Sequence, residues 1–334
     1  MKKLRIADCR VFDVRMAGLR FGLFLAACVL LQAGCTPCPT TSVDVKQLVG
    51  EYNANAAAIP KLWTRSKIDL SLVDDKGSTS NWSTSDGLLL TGKANAANPD
   101  FVLVGRESGQ EVMRLGTSSA DNRYYAWYHF GDKGGAWTGR ADRAGATGAT
   151  EIFADPLTLV SLLGIVELPP GSVTLNMDRG GFLKGSCAYV LTCQDSPGGA
   201  NRLISRREIY FTWTQDGPRR VFQVICFGRD GRRVLTAKLS DYGPVSGADV
   251  HGQPAIVPTD ITMVEDESPG HKSHLRRLRL NLSGMKVGQA DPSEAAKFWD
   301  NLPPVLRDHV IDVDKPAPGA PAELPATAPT QERR

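Results

Sequence analysis

Few residues in this chain of 334 stand in patterns that do covalent chemistry. A nucleophile elbow needs Gly-x-Ser-x-Gly, a phosphate cradle a Walker loop, and a zinc protease His-Glu-x-x-His; none occurs. Cys35-Thr-Pro-Cys38 has the redox spacing, but it adjoins an N-terminal leader rather than opening a helix. His271 and His274, close to Asp266 and Glu267, carry metal-ligating groups, yet their spacing fixes no third ligand. They read as a solvated loop, with no metal and no cofactor expected. Asp and Glu are plentiful, but no spacing pairs two of them as acid and base. The chain is therefore expected to bind rather than catalyse.

Charge narrows what it could bind. Hydrophobic residues make up 42% of the chain and charged ones 22%, a globular composition. The formal charge is +3, but the first 34 residues hold six Lys/Arg against two Asp, which leaves the rest nearly neutral. Such a body cannot neutralise many phosphates, so nucleic acid is not an expected partner. Phe21 to Leu31 is an uncharged, mostly apolar run that follows Arg20 and precedes Gln32-Ala33-Gly34-Cys35. A basic start, a short apolar run and small residues at its end mark an export signal, since a transmembrane helix needs roughly 20 residues.

The Ala33-Gly34-Cys35 ending resembles the bacterial lipobox, with Gln32 where that motif usually carries Leu and Leu31 one position early. The resemblance implies that Cys35 is acylated, becomes the new N-terminus and anchors the protein to a membrane on the periplasmic side. Thr36, where the family's sorting rule reads Asp as inner-membrane retention, implies the outer membrane. Met16-Ala-Gly-Leu-Arg would itself make an ordinary leader start. Residues 1–34 are thus expected to be the export signal and 35–42 a tether. A β domain over 43–303 follows, then a C-terminal extension, 304–334, rich in Pro and Ala and disordered from about 314.

The elements that must position any site come next. Val45, Leu48, Val49, Tyr52 and Ala56 recur at helical spacing, which predicts a helix over 43–62 with Ser42 or Thr41 as cap. The period then changes to two. Strands are predicted around 68–72, 82–91, 101–106, 111–115, 123–130 and 136–140, and again at 173–177, 188–194, 203–214, 221–227, 233–241, 255–264 and 275–285. Short polar turns such as Gly228-Arg229-Asp230-Gly231 imply hairpins, and an antiparallel meander is the simplest topology. Between the two groups, Asp155-Pro156 starts a helix that Gly164 stops. Its apolar residues surround the whole axis, so neighbours should cover it on nearly all sides. Asp291 as cap and Glu294 three residues on announce a short helix over 292–302.

This order of elements resembles the bacterial lipoprotein carriers LolA and LolB. The local likeness is strongest over 208–264: Glu208-Ile-Tyr-Phe-Thr-Trp, then Arg219-Arg-Val-Phe-Gln-Val, the Gly228 turn, Val234-Leu-Thr-Ala-Lys-Leu-Ser-Asp-Tyr and Val257-Pro-Thr-Asp-Ile. The resemblance implies a mainly β fold, a curled, half-open antiparallel barrel with short helices over its concave face. It also implies an envelope protein whose apolar groove binds acyl chains of a lipoprotein or lipid for transport or sorting. The alternative is a non-transporting envelope scaffold that uses the same sheet as a protein-interaction surface.

Alternation assigns the faces. Ile209, Phe211 and Trp213 share one side of their strand, as do Leu235 with Leu239, Val257 with Ile261 and Met263, and Leu278 with Leu280 and Leu282. These are expected to line the concave face, under a lid made by Leu157, Leu159, Val160, Leu162 and Leu163. An ordinary packed core would carry the same pattern. Arginine pairs at 206–207, 219–220, 232–233 and 276–277 read either as solvated turn and edge chemistry or as a basic rim for lipid phosphates. With Cys35 acylated, Cys38, Cys187, Cys193 and Cys226 remain. Cys187 and Cys193 on one strand would lie about 20 Å apart, beyond disulfide reach. An intervening strand would also separate Cys193 from Cys226, so buried free thiols are expected.

Overall fold

The structure is a computed structural model that describes residues 43–73, 77–92, 100–130, 133–141, 156–168, 173–179, 187–194, 204–212, 219–228, 230–266, 275–288 and 301–314. The export run with Cys35 and Cys38, the indole of Trp213, His271, His274, most of the helix expected over 292–302, and the chain beyond 314 lie outside the described residues, as does the side chain of Leu157.

Helix α1 (Val45–Ala57) begins two residues later than expected because Asp44 is its cap, its carboxylate accepting from the Lys46 N–H at 3.0 Å. It also ends sooner. Pro60 holds Ile59 away from helical geometry, and Lys61 already opens the first strand. Six strands follow: β1 (Lys61–Val73), β2 (Thr79–Gly92), β3 (Asp100–Glu107), β4 (Gln110–Ser118), β5 (Arg123–Phe130) and β6 (Lys133–Arg140). Helix α2 (Pro156–Leu162) has Pro at its first position, and Gly164 stops it at φ +70°, a conformation that suits glycine. Beyond it come β7 (Val173–Arg179), β8 (Cys187–Gln194), β9 (Arg206–Thr212), β10 (Val221–Phe227), β11 (Arg233–Val250), β12 (Gln253–Glu265) and β13 (Leu275–Lys286). A 3-10 helix, Pro304–His309, leads into β14 (Val310–Asp312), too short for any alternation to announce.

The fold is mainly β, one curled, half-open sheet in the order β14-β6-β5-β4-β3-β2-β1-β13-β12-β11-β10-β9-β8-β7. It is not the single meander that the sequence implied. Two meanders, β1–β6 and β7–β13, meet where β1 lies antiparallel to β13, with Ile68 opposite Leu280 and Leu70 opposite Leu278. This pairing puts β6 and β7 on opposite flanks. The chain between them must therefore cross from one flank to the other, and α2 rides on that crossing over the concave face, where it meets β4 and β5. One core cluster joins Leu48 of α1, Leu159 of α2 and strands of both halves, such as Leu103 and Leu191. In the first half, aromatic rings pave the concavity. Trp82 lies over Gly105, where a side chain would meet its ring at 2.6 Å, and stacks on Phe130 at 4.5 Å between centroids.

Two asparagines hold α1 in place. The Asn55 amide donates to the Ile256 carbonyl at 2.8 Å and accepts from the Ile256 N–H at 2.9 Å. Asn53, on the other side of the helix, does the same with Leu168 at 2.9 and 2.8 Å. Each side chain imitates a strand residue and satisfies a donor and an acceptor that would otherwise lie part-buried and unpaired.

The cysteines divide. Cys193 and Cys226 are buried thiols outside any disulfide, and both stand opposite Arg207, so β9 keeps them apart. Cys187 is disulfide-bonded, a correction to the expectation of a free thiol. It opens β8 and is only half-buried, where a second thiol can reach it.

The asparagine clamps make a prediction. Asn55→Ala strands both backbone groups of Ile256 and should cost about 1–3 kcal/mol. That loss is read as a lower urea midpoint at unchanged slope.

Candidate functional site

The concave face is filled in one half and hollow in the other. A cavity of about 760 Å³ lies between α1, the end of α2 and strands β9–β12. Its size falls within the roughly 300–1,000 Å³ of small-molecule sites. Alternation turns Ile209 and Phe211 of β9 towards it, Val221 and Val224 of β10 both reach it because the register shifts between Val221 and Gln223, and Leu239 of β11 joins them. Tyr210, one residue out of phase, packs with Val190 and Ile225 in a separate cluster. Leu48 and Tyr52 of α1, with Leu162 and Leu163, form the facing wall.

Sequence-predicted residues fall on both sides of this boundary. Ile209, Phe211 and Leu239 line the cavity, as do Leu162 and Leu163 of the expected lid. Leu235, Val257, Ile261, Met263, Leu278, Leu280 and Leu282 share the same core but lie buried beneath or beside the hollow. Leu159 and Val160 are each 2% exposed, part of the core that plugs the first half. Position along the barrel, rather than face, decides between lining and filling. Lining residues that the sequence reading did not assign to the site include Tyr52, Val224 and Tyr242. Leu48, Tyr52 and Asn55 recur at helical spacing, so the inward face of α1 was readable; that it would face a hollow was not.

Two phenols keep the wall neutral. Tyr52 meets Phe211 edge-on at 6.2 Å, and burial pushes its hydroxyl up to about 12 although the Arg207 charge pulls the other way. Burial also raises Tyr242, whose hydroxyl donates to the Val221 carbonyl at 2.5 Å. Charged groups collect at the mouth. Arg219 Nη1 donates to both carboxylate oxygens of Glu51, at 2.7 and 2.8 Å, and so ties the start of β10 to α1. Arg220 lies over the Tyr242 ring at 5.6 Å. The arginines of the later pairs sit at turns and edges: Arg232 pairs with Asp230, Arg233 with Asp266, and Arg276 donates to Thr79. Among the described residues no three of His, Cys, Asp and Glu gather into a metal site, and no helix is long and apolar enough to cross a membrane. The arrangement can enclose an apolar guest and leave its polar end at a charged opening.

No family model matches the chain, and no curated protein matches it. Similar solved structures include a DUF1329 family protein from Desulfovibrio piger, with a TM-score of 0.48 at 10% identity over 78% of this chain and 100% of that one. An outer membrane lipoprotein-sorting protein domain from Vibrio parahaemolyticus gives 0.47 at 8% identity over 78% and 100%. A LolA superfamily protein from Nitrosomonas europaea gives 0.44 at 10% identity over 75% and 97%.

Tyr52 supplies a pH test. Its ordinary value of 10.0 rises to about 12 on folding. Below pH 10 both states keep the proton; from about pH 10 to 12 only the unfolded chain loses it, so stability falls as pH rises through that window. The slope is up to about 1.4 kcal/mol per pH unit for this group. Urea midpoints across the range should fall less steeply in Tyr52→Phe.

Proposed function

We propose that the cavity between α1 and β9–β12 takes acyl chains of a lipoprotein or lipid, and that the protein carries or sorts this cargo in the bacterial envelope without catalysing a reaction. The observation that carries this reading is the 760 Å³ hollow itself, walled by Ile209, Phe211, Val224, Leu239, Leu162 and Leu163. A methylene leaving a bilayer for water costs about 0.8 kcal/mol, and apolar walls offset that cost. Affinity should therefore follow chain length. Lipid extraction and mass spectrometry should find acyl species in the purified protein, and a fluorescent fatty acid should bind the stripped form. Val224→Trp places a large ring in the hollow and is expected to weaken that binding at least about tenfold with the circular dichroism spectrum retained. A protein that yields no lipid and ignores the probe would refute the reading.

The same proposal places the chain outside the cytoplasm, exported by its leader and held to the outer membrane through acylated Cys35. Palmitate labelled and fed to the expressing bacterium should enter the wild type and not Cys35→Ala. An unlabelled wild type rejects the anchor and leaves the cavity reading standing.

A further inference from the structure

We propose that the cavity selects acyl chains that end in an anion, a carboxylate or a phosphate; this rests on the acyl reading and adds the class of head group. Among the described residues, the ionisable side chains lining the hollow include three arginines, Arg207, Arg219 and Arg220, with His251, against a single carboxylate, Glu51. Their placement follows from the strands. Neighbours on a strand face opposite ways, so Arg206 turns outward, over the Phe227 ring at 4.0 Å, while Arg207 turns inward beside Tyr52. Arg219 and Arg220 stand just before β10, at the opening, one half-buried and the other exposed.

The guanidinium groups of Arg219 and Arg220 are only partly used by the described residues. Arg219 spends Nη1 on Glu51, but its Nε is buried with no hydrogen-bond partner among the described residues. A buried donor left unmade is unfavourable, and an anionic oxygen at the mouth would complete it. Arg220 presents its charge over the Tyr242 ring and, among the described residues, makes no ion pair of the kind that occupies Arg232 and Arg233. Planar forks of this kind match carboxylate and phosphate oxygens two at a time. Beneath them the walls are apolar, and the two phenols are neutral. Such an opening favours a guest whose chain goes in and whose negative end stays between Arg219 and Arg220, in competition with Glu51 for Arg219.

The test compares three probes of one chain length: hexadecanoate, a hexadecanoyl lysophosphatidate and hexadecanol, each titrated into the delipidated full chain below its micelle concentration. At least one anion should bind about tenfold more tightly than the alcohol, and salt should shrink the difference. The two anionic arms tell carboxylate from phosphate. Within each variant the anion-to-alcohol ratio is the readout. Arg220→Gln should lower it several-fold and Glu51→Gln, which releases Arg219, should raise it; the opposite signs keep the test decisive if one variant folds poorly. Equal affinity for all three probes, or a ratio that neither variant moves, overturns the head-group inference alone. If none of the three binds, the acyl reading falls with it.

Discussion

Because β1 lies between β2 and β13, two runs of hairpins far apart in the chain are joined back to back, and everything on the concave side depends on that join. Its register sets Ile68, Leu70, Leu278 and Leu280 into one buried layer at the centre of the sheet. It also leaves β6 and β7 on opposite flanks, so their connection has no short route. The chain must span the concavity, and burying an apolar helix on the way removes greasy surface from water. A single sequential meander would have placed β6 beside β7 and needed no crossing.

The crossing does not close the barrel; it divides it. Leu159 and Val160 join Met113, Leu115 and the paved aromatic rings to make a solid core in the first half. In the second half, α1 is held by its two asparagines between β12 and the chain after α2. Their geometry fixes a stand-off. Short amides that satisfy Leu168 and Ile256 keep the helix attached at its edges, and the side chains between them do not fill the space. Such clamps oppose a collapse of the helix onto the sheet, which close packing would otherwise favour.

Charge follows the same division. Neutral phenols and aliphatic groups occupy the depth, where an ionised group would be poorly solvated. Glu51 and the arginines of the β10 entry occupy the mouth, with Arg207 of β9 also in the lining. Alternation explains why adjacent arginines have different fates: Arg206 and Arg207 differ by one residue and so by one face of the sheet.

Much of this was legible in local pattern. Period-two runs placed thirteen strands, and they told Ile209 and Phe211 from Tyr210 without coordinates. The Asp-Pro start and Gly164 stop bounded α2. Those features depend on residues a few positions apart, and their physics is complete within one turn or one hairpin. Three things were decided only in the folded chain. The union of β1 with β13 is a choice of partner across some 200 residues; many strands offer a compatible edge. Whether Leu280 fills and Leu239 lines depends on where α2 and α1 come to rest. The roles of Asn53 and Asn55 arise because Leu168 and Ile256 arrive beside the helix from distant parts of the chain, and polar side chains carry no period that foretells such a meeting.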